Sequence, residues 1–198
     1  MTTEDSGNLL QKLLRELRSV PSPVFYIFAA VAVFAGIYVC GFNVTGIFIT
    51  LFLLLLVACG VADINAGIIP DLLVIAIAVL GVVFIVVNGD FSSGTILSHL
   101  IGAVCISVPM LILSLIVNGA FGGGDIKLMA AAGLFLGWRY AVTGVVIGMF
   151  LSGFYGMYLL LLRKADPHSK IRIAPFLVYG LGIASLFGEQ FIRLVIWW

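Results

Sequence analysis

Residues 51–74 of the chain read LFLLLLVACGVADINAGIIPDLLV. The segment begins as an uninterrupted apolar run, reaches its first acid at Asp63 and its second at Asp71, and then becomes apolar again. A helix needs roughly 20 apolar residues to cross a hydrocarbon core about 30 Å thick. The pattern therefore predicts two membrane-spanning helices joined by a short acidic turn.

The chain as a whole is rich in apolar residues. Hydrophobic residues make up 63% of the sequence and charged residues only 10%, whereas a soluble domain has about 25% charged residues. We predict an all-α, polytopic membrane helical bundle with six or seven transmembrane helices. The apolar segments are Val24–Phe42, Val44–Ala62, Leu72–Val87, Thr95–Val117, Ile126–Gly137, Ala141–Leu162 and Ala174–Phe187. The fifth is short, which indicates a tilted helix, a half-span covered by its neighbours, or a hairpin with the next helix.

The first 23 residues differ from the rest. Leucines recur at helical spacing from Leu9 to Leu17, with basic residues on the other side, and Pro21 and Pro23 interrupt the pattern. This is typical of an amphipathic helix that lies on the lipid surface. We therefore divide the chain into an N-terminal amphipathic segment, residues 1–23, and a membrane domain, residues 24–198.

Basic residues near the span ends predict the orientation, because they are enriched on the cytoplasmic side. With the N-terminus in the cytoplasm, eight basic residues fall inside and two, Arg139 and Arg193, fall outside. The eight are Lys12, Arg15, Arg18, Lys127, Arg163, Lys164, Lys170 and Arg172. We therefore expect a multi-pass protein of the cytoplasmic (inner) membrane in which Asp63 and Asp125 both lie at the cytoplasmic boundary.

Asp125 follows three consecutive glycines, Gly122, Gly123 and Gly124, between two apolar segments. Such a run lets the backbone adopt conformations closed to other residues and approach a substrate strand closely, although an ordinary interhelical turn explains it too. A phosphate-binding loop is a poorer interpretation, because no Gly-Lys-Ser/Thr ending follows.

Asp63 and Asp125 gain a chemical meaning as a pair. Each acid alone fits a side chain solvated at the headgroups, and Asp71, after Pro70, fits a partner of the next helix dipole. Two close carboxylates, in contrast, resist double ionisation and share one proton. One then draws a proton from water while the other donates to a carbonyl, which is the chemistry of aspartyl proteases.

The motifs resemble those of type IV prepilin and preflagellin peptidases, which are membrane aspartyl proteases with a Gly-x-Gly-Asp motif. Gly122–Asp125 matches that motif, and Asp125-Ile-Lys127-Leu-Met resembles the Gly-Asp-x-Lys-Leu stretch of the family. Residues 63–71 resemble its aspartate followed by Ile/Leu-Pro-Asp/Asn, and residues 173–180 its C-terminal Pro-Phe-Leu-Gly element.

The resemblance implies a peptidase that cuts pilin-like or flagellin-like precursors at the cytoplasmic membrane face, after a basic leader and before a hydrophobic helix. It makes Asp63 and Asp125 catalytic and Asp71 a supporting residue, with Lys127 able to favour ionisation of a nearby carboxylate. The paired Cys-x-x-Cys motifs of the larger bifunctional members are absent from this sequence. This favours the short type without a methyltransferase domain.

Two other classes stay open at this stage. An ion-coupled transporter or channel also uses intramembrane acids and glycine-rich breaks, and an inactive scaffold of pilus assembly would carry the same motifs. No cofactor, metal or nucleic-acid partner is expected, because His99, His168 and the three cysteines lack ligand spacing and no basic patch is interleaved with aromatics.

The orientation can be tested by labelling cysteines from outside intact cells. We expect the Arg163–Arg172 loop to face the cytoplasm, so that Ser169→Cys is protected from an impermeant maleimide until the membrane is permeabilised. A cysteine placed at Arg139, on the predicted outer side, is the matched positive control. Strong labelling of Ser169→Cys in intact cells would show that the orientation is reversed.

Overall fold

The computed structural model describes residues 23–88, 92–117, 121–162 and 173–196. Within these ranges the chain forms helices and no strand, which confirms the predicted all-α class. The helices are α1 (Pro23–Cys40), α2 (Val44–Ala66), α3 (Asp71–Asn88), α4 (Ser93–Cys105), α5 (Ser107–Ile116), α6 (Gly123–Leu136), α7 (Trp138–Leu161) and α8 (Ala174–Ile196). The predicted amphipathic helix before Pro23 and the Arg163–Arg172 loop lie outside the described residues.

Five segments of the described chain are long and apolar enough to cross a membrane. They are Val44–Ala66, Asp71–Asn88, Ser93–Ile116, Trp138–Leu161 and Ala174–Arg193, and the apolar part of α1, Tyr26–Cys40, is shorter. The predicted polytopic membrane bundle is thereby confirmed. The short fifth apolar segment corresponds to α6, whose residues Leu128, Met129, Ala132 and Phe135 are almost fully buried. It is therefore covered by its neighbours.

The fourth predicted span is interrupted rather than continuous. The helix breaks at Ile106 and resumes as α5, whose third residue is Pro109. Proline has no backbone N–H and its ring clashes with the carbonyl four residues earlier, here that of Cys105. The predicted span over Thr95–Val117 corresponds to the candidate span Ser93–Ile116, and the break at Ile106 within it was not predicted.

Capping residues fix the ends of α2. Asn43 precedes the helix, and its Oδ1 accepts a 2.7 Å hydrogen bond from the N–H of Gly46. At the other end, Gly67 has φ +66°, a left-handed conformation that glycine adopts without strain, and its N–H donates to the carbonyl of Asp63 at 2.8 Å. The chain thus turns sharply just after Asp63 and enters α3 through Pro70.

An aromatic cluster sets the register of α2 against α6. The rings of Phe52 and Phe135 stack with centroids 4.4 Å apart, and Phe84 from α3 packs on Phe135 at 5.0 Å. Asp63 lies eleven residues after Phe52, and Asp125 lies ten residues before Phe135. At 1.5 Å per residue these are offsets of about 16 and 15 Å. In antiparallel helices the register therefore brings both acids to one level.

Helices α7 and α8 pack backbone to backbone through glycines. A Cβ on Gly148 would lie 2.8 Å from the carbonyl oxygen of Phe176 and 3.0 Å from the Cα of Leu177, and Gly180 is equally crowded by Gly144 and Gly148. Small residues commonly permit such close approach between membrane helices. Gly180, singled out above by resemblance, is thus placed in a packing contact.

This packing predicts opposite outcomes for two Gly→Ala changes on α7. In Gly148→Ala the new methyl group must push α8 away, at a cost of roughly 1–3 kcal/mol. In Gly153→Ala it meets nothing within 4 Å, so stability should hold or improve by up to about 1 kcal/mol through helix propensity. Thermal unfolding in detergent measures both, and equal stability of the two variants would contradict the packing.

Candidate active site

Asp63 is held in the last turn of α2. Its side chain is only 8% exposed, which is unusual for an acid, and the cap at Gly67 fixes the backbone around it. One helical turn earlier lies Cys59, which is fully buried. Asp63 therefore projects from the packed face of α2 rather than into solvent.

Asp125 lies in the first turn of α6, a helix outside the five candidate spans. Burial raises the pKa of the Asp125 carboxyl above its ordinary value, and the neighbouring Asp63 raises it further. The backbone N–H of Gly122 donates to the carboxylate and opposes both effects. The environment thus favours the protonated form of Asp125. The N–H of Gly122 is oriented to stabilise the ionised form.

The structure brings the two predicted acids together. They come from different helices, 62 positions apart in the chain, and they interact electrostatically at one end of the bundle. Like charges at short range in a poorly hydrated site cannot both ionise cheaply, so the proximity of Asp63 disfavours ionisation of Asp125. The arrangement can supply a base and an acid from two identical side chains.

The glycines before Asp125 have ordinary backbone conformations. Gly122 is extended, with φ −70° and ψ 143°, and Gly123 and Gly124 already belong to α6. The positive-φ glycines of the described chain lie elsewhere. Of the two interpretations of the glycine run, the special backbone conformation is therefore wrong and the ordinary interhelical turn fits better. Gly124 is required for space instead, because a Cβ there would lie 3.1 Å from the Cβ of Ile69.

Ile69 belongs to the Ile-Pro-Asp stretch named in the sequence analysis, but no role was predicted for it there. It is 5% exposed and lies in the short segment between α2 and α3, against the first turn of α6. The motif marks its position, and only the tertiary contact shows that it packs against Gly124.

Asp71 and Lys127, both predicted to support the site, bind each other. The Nζ of Lys127 lies 2.8 Å from Oδ1 of Asp71, with the two side chains 58% and 65% exposed. Lys127 therefore pairs with Asp71 rather than directly with Asp63 or Asp125. Residues two apart on a helix do not face each other, which explains why Lys127 and Asp125 have different partners.

The described part of the chain contains no group of three His, Cys, Asp or Glu side chains able to hold a metal ion. His99 donates from Nδ1 to the carbonyl of Leu134 at 2.8 Å, which ties α4 to the far end of α6. Cys40, Cys59 and Cys105 are free thiols. Cys59 belongs to the buried core and Cys105 packs against it, and His99 has a structural contact in its bond to Leu134.

Fold and site together define a multi-pass helical membrane protein with two neighbouring carboxylates at one end of its bundle. The sequence profile of the type IV leader peptidase family matches residues 47–157, which include both acid-bearing segments. The chain belongs to the type IV leader peptidase family, and the resemblance indicated by its motifs is confirmed.

Several curated relatives are described as prepilin leader peptidase/N-methyltransferase. The protein of Aeromonas hydrophila is 29% identical over 140 residues, covering 70% of this chain and 48% of its own length. That of Pseudomonas aeruginosa is 28% identical with the same coverages, and that of Bacillus subtilis is 28% identical over 49% of this chain and 39% of its own length. The chain thus spans about half the length of these relatives or less. No solved structure matches it significantly.

The electrostatics predict how stability depends on pH. Because the pKa of Asp125 is raised in the folded protein, the folded state keeps this proton to higher pH than the unfolded chain, and stability falls as pH rises through the folded-state value. Asp125→Asn cannot ionise and should escape that loss. Its unfolding temperature relative to wild type should therefore rise between about pH 4 and about pH 7.5.

Thermal unfolding in detergent at the two pH values measures the effect, and Glu189→Gln is the matched control. Glu189 is 64% exposed and pairs with Arg193 at the far end of α8, so its loss should cause no such gain. A constant difference between Asp125→Asn and wild type at both pH values would contradict the assigned environment of Asp125.

Proposed function

We propose that the protein is an aspartic endopeptidase that removes the leader peptide from pilin-like or flagellin-like precursors at the cytoplasmic face of the inner membrane. Asp63 and Asp125 are its catalytic pair. The observation that carries the proposal is the electrostatic coupling of these two acids at one end of an otherwise apolar bundle. Membership of the type IV leader peptidase family supports the leader peptide as substrate.

In the proposed mechanism the two carboxylates share one proton. The ionised member takes a proton from a water molecule, and that water attacks the scissile carbonyl carbon. The protonated member donates to the carbonyl oxygen, which gives a neutral tetrahedral intermediate. The carboxyl that took the water proton then donates it to the amide nitrogen, and the other carboxylate takes a proton from a hydroxyl of the intermediate. The carbon–nitrogen bond breaks, the intermediate becomes a carboxylic acid, and the pair again holds one proton. Neither a metal nor a cofactor is needed for this cycle.

The surface beside the pair suits a precursor whose cleavage site adjoins a hydrophobic helix. Ile64, Ile68 and Leu72, which flank Asp63 and Asp71, are 55%, 70% and 49% exposed. Their apolar side chains offer a nonpolar path from the carboxylates to the lipid. In our proposal the precursor helix lies along this path, which leaves its basic leader at the cytoplasmic boundary.

The proposal covers leader cleavage alone. The relatives are described as N-methyltransferases as well as leader peptidases, but no pair of the three cysteines in this sequence has Cys-x-x-Cys spacing. We therefore assign no methyl transfer to this chain.

The catalytic pair predicts a graded effect of three isosteric substitutions. Asp63→Asn and Asp125→Asn should each abolish cleavage, by at least about a thousandfold, because an amide keeps the shape of the side chain but cannot share the proton. Asp71→Asn should be milder, since Asp71 is an exposed ion-pair partner. The measurement is the gel shift of a purified pilin-like precursor at matched amounts of folded enzyme.

EDTA in the same assay should leave cleavage unchanged, and zinc should not restore any variant. Wild-type-like cleavage by Asp63→Asn or Asp125→Asn would rule out the proposed mechanism. A transporter, a channel or an inactive scaffold would leave the precursor uncut even with the wild-type protein. If Asp71→Asn lost more cleavage than Asp63→Asn, Asp71 would be the first catalytic acid.

A further inference from the structure

The acid-bearing ends of α2 and α6 are joined by a chain of contacts around the segment between α2 and α3. Gly67 caps α2 through the carbonyl of Asp63, and Ile69 packs against the position of Gly124. Two residues later, Asp71 binds Lys127 on the next turn of α6. The segment is thus anchored to α2 at one end and to α6 at two points.

We infer that the Asp71–Lys127 ion pair is a positioning pair that holds the first turn of α6 against the segment after Asp63 and balances the Lys127 charge beside the catalytic acids. The inference rests on the proposed function for its catalytic consequence. Neither residue touches the reacting atoms in this scheme. Both act indirectly, by fixing the helical turn that carries Asp125.

Stability alone does not explain the pair. Both side chains are more than half exposed, and an exposed ion pair contributes little to folding because water screens it and long side chains lose entropy. Its geometry has a clearer consequence, because it joins the two elements whose relative position sets the separation of Asp63 and Asp125.

The ion pair also determines the net charge near Asp125. Lys127 lies two residues after Asp125, and its ammonium would favour ionised carboxylates nearby if it were alone. Asp71 offsets that field, so the pair presents a dipole rather than a net charge to the shared proton. Loss of one member leaves a net positive or negative charge, according to which member is removed.

Among the described residues, the other charged side chains around α6 lie at its opposite end. The helices packed against α6 are α3, α4, α5, α7 and α8, and α2 contributes Asp63. Their further ionisable groups in the described ranges are Cys59, His99, Cys105, Arg139, Tyr140, Tyr155, Tyr158, Tyr179, Glu189 and Arg193. His99 is bonded near the opposite end of α6, and Arg139, Glu189 and Arg193 belong to that same end. The remaining groups are thiols and phenols, not formally charged side chains.

The test compares Asp71→Asn, Lys127→Met, the double variant and the exchange Asp71→Lys/Lys127→Asp. Each single variant should lower kcat roughly three- to tenfold with a smaller change in KM, as expected for loss of a surface pair that orients a catalytic group. The alkaline limb of the pH profile should move by about half a pH unit at low salt, downward in Asp71→Asn and upward in Lys127→Met.

The double variant removes both charges and should return the limb to its wild-type position, and the exchange should recover kcat above either single variant. A merely structural contact would not move the limb in opposite directions. If the alkaline limb of the pH profile does not move, or moves in the same direction in both single variants, the inferred charge balance is wrong. Failure of the exchange to recover kcat overturns the positioning role.

A second readout needs no substrate. The infrared band of the protonated carboxyl that disappears in Asp125→Asn can be titrated in each variant, and its midpoint should shift in the same opposite directions. If the wild type cuts no pilin-like precursor, the proposed function fails, while the infrared titration still decides whether the pair acts on Asp125. Identical midpoints in all variants would overturn the inference by themselves.

Discussion

The free-energy cost of an ionised carboxylate in poorly hydrated surroundings governs this structure. Asp63 is 8% exposed and Asp125 is partly buried, so ionising both at once would place two like charges close together with little water to screen them. In the proposed mechanism a shared proton removes most of that cost. Both acids lie at one end of the bundle, and the other buried side chains of the described residues, apart from Ser107, are apolar.

Keeping Asp63 and Asp125 close together requires that their helices do not shift, and the packing of the helices prevents such a shift. The stacked Phe52 and Phe135 rings set the level of α2 against α6. Gly102 on α4 and Gly133 on α6 sit so close that each would clash with the other's backbone if it carried a Cβ. Backbone contacts of this kind leave little freedom for α6 to slide, so its first turn stays beside Asp63.

The sequence predicted the class of fold and the two acids but not the contacts between them. Hydropathy and length suffice for the spans because a lipid-exposed backbone must satisfy its own hydrogen bonds, which leaves helices as the available form for an apolar chain of this pattern. The break at Ile106 was missed because the apolar pattern continues across it, although Pro109 is a visible signal. The partner of Lys127 was missed because Asp71 lies 56 positions away in sequence.

Glycine shows why such contacts escape sequence analysis. Three glycines in a row indicated an unusual backbone, yet Gly123 and Gly124 are helical and Gly124 serves to let Ile69 approach. The same residue type accommodates either a special dihedral angle or a close neighbour, and only the tertiary structure separates the two causes. Here the cause is proximity, so a Cβ at position 124 would press directly on the segment that links Asp63 to Asp71. The glycine motif thus acts on the geometry of the acid pair by bringing α6 close to that segment, not by loosening the backbone before Asp125.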